Sequence, residues 1–109
     1  MAGSLDQSLV DEIVRRIVEI AHPDKIILFG SHARGEAQQS SDIDLLVAMR
    51  VVGSRRKEIL RIREVLVPLG VSIDVLVASG ADFAKWSEAP STTLYWVKRE
   101  GEVLYEAAA

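Results

Sequence analysis

Apolar residues along this chain recur with two different periods, and the switches between them mark its elements. Val10, Ile13, Val14, Ile17, Val18 and Ala21 follow the i, i+3, i+4, i+7 spacing of one helix face, while Asp11, Glu12, Arg15, Arg16 and Glu19 take the other. The spacing predicts a helix over residues 8–21, with Ser4, Asp6 or Ser8 as its cap. His22-Pro23 ends it, because the residue before proline is pushed out of the α region. Ile26-Ile27-Leu28-Phe29 is an unbroken apolar run between Pro23 and Gly30, which suits a strand over 25–29 covered on both faces. A turn from Gly30 opens a short helix. A second strand is predicted over 42–49. Ile59, Ile62, Leu66 and Leu69 then stripe a helix over 55–67, stopped by Pro68 and Gly70. Residues 71–77 read as a third strand, and 82–88 and 91–99 as two short helices around Pro90. Residues 102–106 alternate polar and apolar like a half-exposed edge strand, and 107–109 are expected to fray. The order α, β, α, β, α, β, α, α, β predicts an α/β (α+β) fold with one central sheet.

Composition narrows the setting. The 109 residues suffice for a single domain, 1–109, and little more. A net charge of −3 argues against a general nucleic-acid binder. The absence of cysteine excludes disulfides and thiolate metal sites. No secretory leader or apolar run of membrane-spanning length is read, so a cytoplasmic protein without membrane association is expected.

The chemistry-bearing stretch is residues 30–47, GSHARGEAQQSSDIDLLV. Asp42 and Asp44, two apart on a strand, share a face and repel each other unless a cation lies between them. The bland alternative is a surface strand with two solvated acids, but Ile43, Leu45, Leu46 and Val47 make the segment too apolar for full exposure. Asp74 stands alone among Ile73 and Val75. It is either a buried, hydrogen-bonded acid or a third metal ligand brought beside the Asp-x-Asp pair by strand pairing. Gly30 permits close backbone approach, and Ser31 offers a hydroxyl and an N–H at a helix start, where anions are favoured; as a plain turn and cap the same two residues carry no function. Three carboxylates can hold two Mg²⁺ ions for an in-line displacement at phosphorus, with the Gly-Ser turn holding a nucleotide's phosphates. Arg50, Arg55, Arg56, Lys57, Arg61 and Arg63 form a basic run that could attract RNA or polyphosphate; such runs are more commonly the solvated face of a helix. His22 reads as a helix-end residue only. Phe83, Trp86, Leu94, Tyr95, Trp96 and Val97 read mostly as core, with Trp86 and Trp96 the natural anchors for a partner.

Gly30-Ser31, Arg34-Gly35, Ser41-Asp42-Ile43-Asp44-Leu45 and the later Asp74 together resemble the DNA polymerase beta-type nucleotidyltransferase superfamily, and within it the minimal nucleotidyltransferases (MNT proteins). The motif covers residues 26–47, and order and length fit from about 8 to 106. The resemblance implies a polymerase beta-like fold, a mixed sheet flanked by helices, with Mg²⁺ and ATP as nucleotide donor. It makes Asp42 and Asp44 ligands shared by two ions, and Asp74 the ligand of the ion that activates the attacking hydroxyl, and its base. Ser31 becomes the contact to the β- and γ-phosphates, beside Gly30, and Arg34 a further phosphate contact. One departure is Gln38-Gln39, where relatives often carry a basic residue. Within these 109 residues neither the acceptor domain of kanamycin-type enzymes nor the fingers and thumb of polymerases is read, so the acceptor is expected to be brought by something else. MNT proteins are commonly paired, as antitoxins, with a small helical HEPN ribonuclease toxin, and resemble enzymes that move AMP from ATP to a toxin tyrosine. The resemblance therefore implies a protein AMP transferase in a hetero-oligomer. A non-catalytic module that occludes its partner, or a transferase acting on an aminoglycoside-type molecule, are the alternatives.

Overall fold

A computed structural model describes residues 5–38 and 41–108. The first helix, α1 (Gln7–Ala21), is capped by Asp6, whose carboxylate accepts the Ser8 N–H, and ends at His22 in the left-handed conformation. Strand β1 (Lys25–Phe29) leads through Gly30 into a single helical turn, α2 (Ser31–Arg34). Strand β2 (Ile43–Met49) follows. Helix α3 (Arg55–Leu66), capped by Ser54, runs into a tighter turn at Val67–Leu69. Then come β3 (Ile73–Ser79), α4 (Gly80–Trp86) capped by Ser79, α5 (Thr93–Glu100) capped by Thr92, and β4 (Glu102–Glu106). Among the described residues no helix is long and apolar enough to cross a membrane.

The four strands form one mixed sheet in the order β3-β2-β1-β4. β1 pairs antiparallel with β2 and β4, and β2 pairs parallel with β3 through the α3 crossover. One face buries Ile26, Leu28, Leu45, Val47, Val75 and Val77 against Ile13 and Ile17 of α1 and Ile62 and Leu66 of α3. On the other face Ile27, Leu46 and Ala78 pack against Val97 of α5, with Phe83 and Leu94 at the margin. The mixed sheet flanked by helices is the one the sequence predicts.

Three local readings change. The third strand begins at Ile73 rather than Val71, because the Gly70 turn carries the chain until the Ser72 carbonyl meets the Ile43 N–H; it extends to Ser79, which registers with Met49. Ala107, expected to fray, donates its N–H to the Asp24 carbonyl at 2.8 Å and extends the β1–β4 pairing. Trp86 and Trp96 are both about half exposed, so Val97 is the only fully buried member of the C-terminal apolar set. Ser4 and Gln39 lie outside the described residues, so neither that cap nor that departure has a structural account.

Candidate active site

Successive side chains on a strand point to opposite faces. Since Leu46 and Ala78 face α5, Asp44 and Asp74 share that face. Their parallel register sets them side by side, with Cα atoms about 4.8 Å apart across the ladder. Phe29 pairs with Asp44 from the other side. α4 and α5 cover only part of this face: Leu46 is fully buried, whereas Leu76, its partner on β3, is 38% exposed. The uncovered part is a cavity of about 330 Å³ lined by Phe29, Asp44, Arg63, Asp74, Val75 and Leu76. A larger cavity of about 800 Å³ lies between α1, α2 and β4 and contains none of the three acids. Size alone would select that one; the chemistry selects the smaller.

Asp42, expected on the second strand, sits one residue before β2, which begins at Ile43, and is exposed, and Asp44 is half-buried. Burial pushes the Asp44 carboxyl above its usual range, and the charges of Asp74 and then Asp42 push it further; His32 and Arg34 pull weakly the other way. Asp44 thus feels the charge of both other acids. Asp74 itself is exposed. The expectation of a buried acid fails here because β3 is an edge strand and this part of its face has no helix over it.

Gly30 joins β1 to this site. Its backbone, at φ +76° and ψ −154°, lies in a region essentially reserved for glycine, and a Cβ there would run into the Asp44 carboxylate. The turn therefore lies directly against Asp44. Ser31 follows, but α2 is a single turn, too short to sum peptide dipoles into the anion-favouring field of a full helix. What Ser31 offers is its hydroxyl and its backbone N–H. Arg34 is within electrostatic reach of Asp44, yet its guanidinium is held by Glu36 at 2.8 Å and Glu100 at 3.7 Å. A phosphate at Arg34 would compete with those carboxylates.

Two side chains with no site role in the sequence reading belong to this region. The His32 Nε2–H donates to the Ser41 carbonyl at 3.2 Å, tying α2 to the residue before Asp42, while its Nδ1 is buried without a partner among the described residues. Arg63, read as one of a solvated basic run, reaches the cleft because the α3 crossover brings it past the edge of β3. Nothing in residue spacing announces that placement.

Among the described residues no three His, Asp or Glu groups are drawn together into a ready-made metal cage. That suits a cation arriving with substrate oxygens, since Mg²⁺ is usually held by one or two carboxylates plus phosphates. The acids supply only hard oxygen donors, and their mutual repulsion at Asp44 is what such a cation would relieve. The residues fit the group.

The comparisons bear on what this arrangement belongs to. Three solved structures share the fold. The first is a Sulfolobus solfataricus protein that carries a nucleotidyltransferase assignment (TM-score 0.65, 18% identity, 91% of this chain and 78% of that one). The second is a tri-AMPylated Shewanella oneidensis HEPN toxin in complex with MNT antitoxin (TM-score 0.61, 19% identity, 94% and 74%). The third is a toxin–antitoxin with AMP-PNP (TM-score 0.58, 21% identity, 94% and 75%). A comparison with curated protein sequences found no match. The family model described as "Nucleotidyltransferase domain" matches residues 10–98, a span that takes in Gly30, Asp42, Asp44 and Asp74, and the chain belongs to that family.

Proposed function

We propose that this chain transfers AMP from MgATP to a hydroxyl of a small helical protein partner, of the HEPN type, and thereby acts as its antitoxin. The observation that carries the reading is the pairing of Asp44 with Asp74 on adjacent parallel strands, directly beside the Gly30–Ser31 turn. The AMPylated HEPN toxin held by a structural neighbour, and the AMP-PNP of another, support the choice of acceptor and nucleotide.

In this reading Asp42 and Asp44 would hold the metal that comes with the nucleotide, with Asp74 as the third ligand. Bound Mg²⁺ supplies charge neutralisation at the phosphates and orients the reacting oxygens. Ser31 binds the terminal phosphates through its hydroxyl and N–H, with Arg34 as a further contact once released from Glu36. The acceptor oxygen forms a bond to the α-phosphorus as the bond from that phosphorus to the bridging oxygen breaks. Pyrophosphate leaves with the electron pair, and Asp74 takes the hydroxyl proton. The rest of the chain's contribution is positioning, the main resource of phosphoryl-type transfer.

Co-expression with the product of the adjacent gene tests the whole reading. Mass spectrometry should find that protein carrying AMP, and the modification should vanish with Asp42→Ala. A partner that stays unmodified, yet is inhibited equally by wild type and Asp42→Ala, would leave only occlusion. Calorimetry tests the nucleotide half separately: ATP should bind far more tightly with Mg²⁺ than without it.

A further inference from the structure

β3 is one of the two edge strands, and α3 and α4 pack against it. Between these helices runs a groove of about 270 Å³ whose lining includes Leu46, Ile59, Leu76, Trp86 and Leu94. Leu76 belongs to both this groove and the acid-lined cleft. Arg63 in turn belongs to the cleft and to the outer face of α3, with Arg55, Arg56 and Leu60. Groove, cleft and basic helix face are thus one continuous surface ending at Asp74.

This surface is both apolar and basic. Leu60, Leu76 and Trp86 are left 52%, 38% and 44% exposed along it. Contiguous apolar exposure rimmed by charge marks an interaction site. Charge points the same way. Arg15, Arg16, Arg34, Arg55 and Arg61 are each answered by a carboxylate within the chain. Arg56 and Arg63 have no such partner among the described residues. Arg50 and Arg99 likewise form no ion pair among the described residues, but Arg63 lines the cleft with Asp44 and Asp74, and Arg56 lies on the adjoining outer face of α3.

We infer that this surface is the acceptor channel, and that its occupant is an acidic, hydroxyl-bearing segment of a protein. Arg63 and Arg56 meet the segment's carboxylates, Leu76 and Trp86 take an apolar side chain, and the hydroxyl reaches the cleft beside Asp74. The inference rests on the nucleotidyl-transfer reading and adds to it the acceptor's chemistry and route. RNA fits less well. One face of the Trp86 ring is already covered by the Lys85 ammonium, 4.7 Å from its centroid, and two unpaired arginines make a short track for a polyanion.

The test uses the full chain, MgATP labelled at the α-phosphate, and two probes: a random copolymer of glutamate and tyrosine, and one of lysine and tyrosine. Label should enter the acidic polymer about tenfold faster or more. Arg56→Glu, on the outer face of α3 and outside the cleft lining, should weaken that preference by raising KM for the acidic polymer while kcat and MgATP affinity hold. Equal labelling of the two polymers, no labelling of either by a protein that binds MgATP, or an unchanged KM in Arg56→Glu overturns the inference. So does single-stranded RNA that accepts label in preference to the acidic polymer. Failure to bind MgATP at all is a separate result, and it sinks the nucleotidyl-transfer reading beneath.

Discussion

Glu12 and Asp44 are carboxylates in regular structure, each with other charges close by, and their protons are held in opposite directions. Glu12 on α1 accepts hydrogen bonds from Arg15 and Arg16, which pull its carboxyl down to about 2 from 4.5. Asp44 on β2 is partly buried between two other aspartates, and its carboxyl is pushed up. The guanidinium that pulls against this shift, Arg34, is committed to Glu36 and Glu100. On α1 the chain answers its own charge. In the cleft Asp44 and Asp74, with Asp42 close to Asp44 in sequence, form no ion pair among the described residues, and their charge is left for a ligand to answer. That arrangement costs stability in the isolated protein and persists where a ligand supplies the missing cation.

The largest break in this contrast comes from removing the central acid. Asp44→Ala should lower AMP transfer by roughly a hundredfold to a thousandfold or more, the scale seen when one preorganised electrostatic group is lost. The thermal midpoint should stay level or rise. The sign follows from the direction of the shift: a carboxyl raised on folding is destabilising in its ionised form, so its removal helps at neutral pH. A large fall in midpoint would mean that Asp44 is a structural acid after all.

Gly30→Ala should come next. It adds about 1–3 kcal/mol of backbone strain and forces a methyl group onto the Asp44 carboxylate. We expect a midpoint several degrees lower, with transfer lost in the protein that remains folded; a thermal melt alongside the transfer assay reads both.

A finer probe is the Asp44 titration itself, followed by carboxyl NMR. Asp74→Asn should move the Asp44 pKa down toward the ordinary carboxylate value of about 3.9, because one of the two repelling charges is gone. An unmoved titration would show that the two acids are not coupled.

The smallest effect belongs to α1. Glu12 has a folded pKa below its unfolded value, so its stabilisation is complete above about 4.5 and lost as pH falls toward 2. Melting curves across that range should lose less stability in Glu12→Gln than in wild type. Pairs this exposed move stability little, and the difference should be small.

How far the sequence foretold this depends on the range of the forces involved. The i, i+3, i+4 stripe of α1 and the Ile26–Phe29 run gave their elements almost to the residue, because local periodicity reports burial directly. The turn around Gly30 and the side-by-side acids were legible too, since a parallel neighbour for β2 puts Asp74 on the Asp44 face. The exposure of Asp74 was not. It depends on how far α4 and α5 reach over the sheet, which is a matter of packing and not of spacing. The arrival of Arg63 in the cleft depends likewise on the path of the crossover helix. His32 carried no reading of its own in the sequence, and only the fold brings its ring to the Ser41 carbonyl.

β1 lies between two partners that are made at very different times. Its pairing with β2, and β2's with β3, need nothing beyond Ser79. Its other edge joins Ile26 to Tyr105 and waits for the last strand. The entropy of closing that long loop is met only at the end, which is the kind of contact that slows folding. During synthesis the three acids and the glycine turn can therefore be in place while one full side of β1 still presents unpaired amides and carbonyls. In that interval the nascent sheet is a template for any passing strand, and β4 is the element that removes the hazard.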